Sequence, residues 1–387
     1  MKNKHGIAIW ADKGQSDTLK PVELHVNVWK LSDEASARHI DIGIMLFQYS
    51  SAKTINIFIP FEHADASNFS DLGEKLRESK MCSAVFNELC KVDDEDTKKF
   101  LKVTKRSTDP QDTFYIYTLD CRENGNVKFK PAHDGTIVKI SIPELSQTST
   151  GDDGITQGKV YIRFRLSNQC VTSFYSQDDL AHAAMQNFVA KVEILDIRFN
   201  EVRTLDRSIN EYFESNTPLN FSKVQFFFMC RSTDELILAK TAHVSARNLE
   251  KESWENYLPE NAYGSKGKVR QSNNIIAYQW RTPKEGAPFC DYSMMIKTRY
   301  DTFNIKKVVA LLLVTILIGA LGSELAAQAN KAWDYFNKSA AAAPAPKLPT
   351  PLTLQPTAKE SPTISILVNS PPADNSTVSV SVKQTKP

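Results

Sequence analysis

The sequence predicts an α+β protein with a β-rich, mostly antiparallel head, one transmembrane α-helix and a disordered, Pro-rich tail. Three observations carry that expectation. Short runs of alternating apolar and polar residues recur along roughly the first 300 positions of the 387-residue chain. Residues 308–322 read VVALLLVTILIGALG, with nothing more polar than Thr315. Nine of the 18 prolines lie between Pro344 and Pro387, interleaved with Ala, Ser and Thr, a composition that stays extended instead of packing a core.

Alternation with period two sends successive side chains to opposite faces of a strand, so it marks half-buried strands. Residues 22–31, 40–49 and 54–61 follow it, and the Ser50-Ser51-Ala52-Lys53 turn predicts a hairpin between the last two. Residues 114–119, 127–130 and 136–142 add strands, with Glu123-Asn124-Gly125-Asn126 and His133-Asp134-Gly135 supplying turns. Between these sets, residues 71–90 and 94–106 are expected to be helical; the second run opens on acids and closes on bases, as a helix dipole favours. Further strands are expected at 160–166, 188–199, 224–230, 236–240, 274–280 and 292–297, and helices at 178–186 and 242–257.

Residues 146–158 (SQTSTGDDGITQG) hold no large apolar side chain except Ile155. They mark either a domain boundary or one long hairpin loop, so the head is one large domain or two consecutive ones. The division is then a β-rich α+β module at 1–145, the linker or loop at 146–158, a second such module at 159–300, the membrane helix at 306–328 and the tail at 329–387. Two tail stretches, 364–368 and 378–382, are β-competent, but an isolated two-stranded hairpin is marginal in water and disorder is expected.

Fifteen helical residues cover roughly 22 Å, short of the roughly 30 Å hydrocarbon core. The flanks extend the run: Lys306 and Lys307 can snorkel, 325–329 continue the helix, and Trp333, Tyr335 and Phe336 fall where an aromatic belt belongs. Residues 1–15 contain no apolar stretch suited to a signal peptide, and Lys297, Arg299, Lys306 and Lys307 precede the span whereas only Lys331 and Lys338 follow it closely. The expected topology is a single-pass protein of the cell inner membrane, with the head cytoplasmic and the tail outside or periplasmic. All six cysteines lie in the head, which suits a reducing compartment. The head is electroneutral, with 41 basic and 41 acidic residues before position 308 and 6 and 4 after it, so no nucleic-acid partner is predicted.

No catalytic signature is found, and no cofactor or metal is expected. Gly154-Ile155-Thr156-Gln157-Gly158-Lys159-Val160 has the wrong spacing for a phosphate loop and lacks its hydroxyl. Cys82 and Cys90 lie eight apart with no histidine near them, so structural zinc is not expected. Glu62-His63-Ala64-Asp65 reads as a solvated loop. The one candidate ligand site is the Gly/Lys turn carrying Lys266, Lys268 and Arg270, with Tyr257 and Tyr263 upstream: glycine amides converge on an anion, the bases neutralise it and tyrosines stack on a ring. An anionic or nucleotide-like ligand would bind there. In the span, Gly319, Gly322 and Ser323 form a small-residue patch suited to helix association.

The expected function is a non-enzymatic ligand-sensing or partner-docking head held at the membrane through residues 306–328, with self-association or a protein partner. Two alternatives differ in class. One is a membrane-perturbing effector of the kind that defence and cell-killing systems use, activated through the head; the other is a membrane-anchored enzyme with a scattered site drawing on His63, Asp65, His133 and Asp134.

Overall fold

The computed structural model describes residues 6–12, 19–47, 53–93, 100–106, 112–142, 158–177, 190–263, 274–282, 286–301 and 305–341. The head is built from two mixed sheets. The first runs in the order β16 (Glu235–Ala239), β19 (Tyr292–Asp301), β13 (Ala190–Phe199), β1 (Gly6–Ala11), β4 (Thr54–Ile59), β10 (Gly135–Ser141) and β9 (Val127–Ala132), with β12 (Tyr175–Gln177) on β13 and β14 (Thr217–Pro218) on β1. The second runs β17 (Ser245–Leu249), β18 (Ile275–Arg281), β15 (Phe221–Arg231), β2 (Val22–Lys30), β3 (Arg38–Leu46), β11 (Lys159–Ser167), β8 (Thr113–Tyr117), β7 (Phe100–Lys105) and β6 (Cys90–Asp93), with β5 (Phe69–Asp71) on β11. Most pairs are antiparallel; β1–β13, β2–β15 and β8–β11 are parallel. Helices are few: α1 (Ser79–Phe86), α2 (Gln169–Thr172), α3 (Arg207–Ser215), α4 (Lys251–Trp254) and α5 (Ile305–Ala341).

Alternation explains the layering. Val22, Leu24, Val26 and Val28 of β2, Ile40, Ile42 and Ile44 of β3, and Ile7 and Ile9 of β1 all enter one core shared by the two sheets. The intervening residues face outward and need covers. On the second sheet, Trp29, Met45 and Tyr161 pack under α1 and the α4 segment, with Leu76, Met81, Trp254 and Tyr257. On the first, Trp10, Phe58 and Ile137 pack under α3 through Ile209 and Phe213.

Several local expectations are corrected. The predicted hairpin between residues 40–49 and 54–61 does not form: β3 pairs with β2 and β11, whereas β4 pairs with β1 and β10 in the other sheet. Both strands bury one apolar face in the shared core, and that pattern is the same whichever sheet a strand joins. Residues 100–105 are a strand, β7, because Phe100 enters the shared core while Leu101 and Val103 reach the outer one; the charge pattern that suggested a helix gives way to packing. Residues 245–249 are likewise a strand, and 71–90 contains only a 3-10 turn at Glu74–Arg77 and α1. The turn at His133-Asp134 does join β9 and β10 as an antiparallel hairpin. Strands from before and after residues 146–158 share both sheets, with β3 on β11, β2 on β15 and β1 on β13. Residues 146–157, the expected helix at 178–186, and the tail beyond Ala341 lie outside the described residues.

Contacts divide the chain into Met1–Leu313 and Val314–Pro387. Helix α5 is 37 residues long, and its stretch Val309–Lys338 is long and apolar enough to cross a membrane, with none of it buried against protein.

Candidate functional site

A cavity of about 570 Å³ opens where the edges of the two sheets diverge, within the size range of about 300–1,000 Å³ usual for small-ligand sites. Four segments wall it: Glu201 and Arg203 after β13, Lys240 to Val244 between β16 and β17, Trp280 to Thr282 at the end of β18, and Phe289 to Met294 leading into β19. Each wall is pinned by hydrogen bonds to neighbouring segments. Asn200 takes a left-handed turn (φ 56°), donates from Nδ2 to the Leu219 carbonyl at 2.9 Å and accepts from the Ile9 amide at 2.7 Å, which aims the Glu201–Arg203 segment. Val224 N–H donates to the Thr282 hydroxyl at 2.9 Å, and Phe289 exchanges two backbone hydrogen bonds with Phe221. Trp280 Nε1 donates to the Thr241 carbonyl at 2.9 Å, tying β18 to the loop opposite.

The floor is apolar and aromatic, from Trp280, Phe289, Tyr292 and Met294, and burial pushes the Tyr292 phenol well above its ordinary range. The rim is charged. Glu201 accepts from Arg203 at 2.7 Å and lies 3.5 Å from Arg198, so its carboxylate is already answered by two guanidinium groups. Lys240 Nζ donates to the Ser293 hydroxyl at 2.6 Å and to the Ser293 carbonyl at 3.3 Å, which leaves one proton to offer, and Arg281 and Asp291 stand exposed. Such a cleft can seat an apolar or aromatic body on its floor and an anionic group on Arg203, Lys240 and Arg281.

A second constellation is closed. On the outer face of the second sheet, register sets Arg165 opposite Asp41 and Arg163 opposite Gly43. Asp41 accepts from Arg165 Nε at 2.6 Å and Nη2 at 3.0 Å, from Trp29 Nε1 at 2.8 Å and from the Tyr257 hydroxyl at 2.8 Å. Arg163 donates to the Tyr257 and Tyr161 hydroxyls, each at 2.8 Å. Burial opposes ionisation of Asp41, but the two arginines and Trp29 outweigh it and hold the carboxyl below its usual range. Beside this group, burial likewise opposes ionisation of Glu23, yet His25 and Lys223 bring its pKa down to about 2. Asp41, Arg163, Arg165 and Tyr257 satisfy one another and are buried, so they serve as scaffold, while Glu23 and Lys223 beside them are partly exposed.

Of the ligand residues expected from sequence, the described residues include the side chain of Tyr257 alone. Tyr257 belongs to the buried layer just described, with its hydroxyl shared between Asp41 and Arg163. Lys266, Lys268 and Arg270, and the side chain of Tyr263, lie outside the described residues. Gly319 and Gly322 sit on α5 with nothing within 4 Å of an added Cβ, and Ser323 is exposed beside them. His63 is an exposed turn residue with φ 64°, and the carboxylate of Asp65, also exposed, accepts from Ser67. His133 lies 3.3 Å from Asp134 and 3.4 Å from Asp206, three donor atoms within 4.8 Å of one another. Asp206 also caps α3, and the trio is partly exposed, as surface ion pairs are. Cys82 and Cys90 share one core. The cleft residues escaped sequence reading because four separate segments supply them; the local signal was aromatic and basic residues alternating at Tyr278, Trp280 and Arg281.

No family model matches the chain, and no curated protein matches it. The cleft and the apolar helix therefore carry the functional reading.

Proposed function

We propose that the chain is a single-pass inner-membrane protein whose cytosolic head binds a small ligand or a protein segment in the cleft between its sheet edges, without catalysing a reaction on it. The observation that supports this reading is the cleft: an aromatic floor, with Trp280 and Phe289 held by hydrogen bonds, ringed by Arg203, Lys240 and Arg281. Helix α5 supports the anchoring, since its exposed apolar stretch meets the length a bilayer requires.

Thermal unfolding of the full chain in detergent, with panels of nucleotides, lipid headgroups and peptides, tests the binding. A ligand at a hundred times its Kd adds about 2.7 kcal/mol. A Ser293→Trp variant, which fills the cleft, is expected to fold and to lose that response. Stabilisation that survives unchanged in the variant removes the cleft from consideration. The topology is tested with a membrane-impermeant maleimide: the exposed Cys290 is expected to react only after cells are opened, and a Ser376→Cys tail variant in intact cells.

A further inference from the structure

Strands β9 and β16 end one sheet, and β6 and β17 end the other. An edge strand leaves backbone groups unpaired, and proteins guard it with lysines, proline, shortness or a bulge. β9 carries Lys128, Lys130 and Pro131, β6 is four residues long with Lys91 and Asp93, and β17 centres on Arg247. β16 instead reads Glu-Leu-Ile-Leu-Ala, followed by Lys240, and among the described residues its one guard is a bulge between Leu236 and Leu238.

That bulge sorts the side chains in an unusual order. Leu236 and Ala239 both pack against the shared core although they are three apart. Ile237 and Leu238 both point away from it, 46% and 50% exposed, and Glu235 and Lys240 are exposed as well. The outward row is thus acid, apolar, apolar, base. Turned end for end, it is its own complement.

We infer that β16 is a contact for a second copy of this chain, two β16 strands lying antiparallel about a two-fold axis between Ile237 and Leu238. Glu235 then lies opposite Lys240 of the other copy, Ile237 opposite Leu238, and Leu236 opposite Ala239. Antiparallel neighbours share a face, and the bulge lets every one of these pairs meet that condition. In an unbulged strand the same pairing sets an outward residue against an inward one. Glu235 is already flanked by Arg299, its register partner on β19, so in the dimer it is bracketed by two cations. Lys240 donates twice to Ser293 and has one proton left for the second copy's carboxylate. The two copies repeat the ion pair at both ends of a central Ile-Leu quartet, which is the isologous arrangement a two-fold requires. A contact this short belongs to the small, concentration-dependent class of interfaces.

Sedimentation equilibrium of the full chain in detergent micelles, for wild type, Glu235→Lys, Lys240→Glu and the double exchange, tests it. The wild type is expected to dimerise reversibly. Each single reversal sets like charges opposite each other at both ends and is expected to weaken the dimer at least about tenfold; the double exchange is expected to restore it to within about threefold. Melting curves confirm that each variant is folded. A wild type that stays monomeric, single variants that associate like the wild type (which assigns association to α5), or a folded double exchange that fails to recover each overturn the contact.

Discussion

Gly43 is the position where one atom decides the packing of the buried polar layer. A Cβ there falls on the Tyr161 hydroxyl, which accepts from Arg163 and faces His25 Nδ1 at 3.2 Å. Gly43→Ala is therefore expected to lower stability by about 1–3 kcal/mol, read from urea midpoints. Tyr257→Phe deletes the hydroxyl shared by Asp41 and Arg163 and is expected to cost about 1–3 kcal/mol by the same assay. Unchanged stability together with an altered ligand response would return Tyr257 to the ligand role its sequence neighbourhood suggests. Histidines set the acid limit. Burial, aided by the Arg165 charge, holds His39 down to about 4 from the usual 6.5, and burial also lowers His25. His39 therefore stays neutral in the folded head down to pH about 4, while the unfolded chain takes up protons below pH about 6.5. The His39 contribution is thus full above that pH and falls as pH drops toward 4, by about 1.4 kcal/mol per unit, and His25 acts in the same direction. His39→Gln is expected to flatten the slope of urea midpoint against pH; an unchanged slope refutes the assignment.

At the level of elements, α3 depends on its first turn. Asp206 accepts from the Ser208 amide at 2.9 Å, and Ile209 and Phe213, one turn apart, close over Trp10. Asp206→Ala is expected to cost about 1 kcal/mol in thermal unfolding, with Asp206→Asn costing less because it still caps. That helix was legible in principle: a capping Asp followed by apolar residues at i+3 and i+7 is a helix start. The long strands were legible in fact, because a half-buried strand repeats its burial every second residue, as β2, β3 and β11 do. Sheet membership was not. β3 and β4 bury equivalent isoleucines in one core from opposite sides, and nothing local records which side each occupies. The acid-to-base gradient before Arg106 misled for a related reason: dipole complementarity is worth about 0.3–1 kcal/mol, less than burying Leu101 and Val103, at about 1.5–3 kcal/mol each. The cleft was hidden for a third reason, since its walls come from four segments spread between Glu201 and Met294 that meet only after both sheets have formed.

For the whole molecule, the decisive question is whether α5 alone attaches the chain to lipid. Its 37 residues would extend about 55 Å at 1.5 Å each, well beyond the roughly 30 Å hydrocarbon core, so only part of the helix can lie in the apolar layer. If residues 306–328 occupy that layer, Leu317 lies at its centre and Trp333 in a flank. A central arginine costs about 3 kcal/mol of insertion free energy, whereas an arginine at an interface costs little. Leu317→Arg is therefore expected to move much of the chain from the membrane pellet into the alkaline-extractable fraction, and Trp333→Arg to leave it in the pellet. Sedimentation after carbonate treatment, read by immunoblot, separates the cases. Should Leu317→Arg remain as firmly bound as wild type, another part of the chain holds the membrane; should Trp333→Arg be the variant released, the apolar layer lies further along the helix than the lysines at 306 and 307 imply.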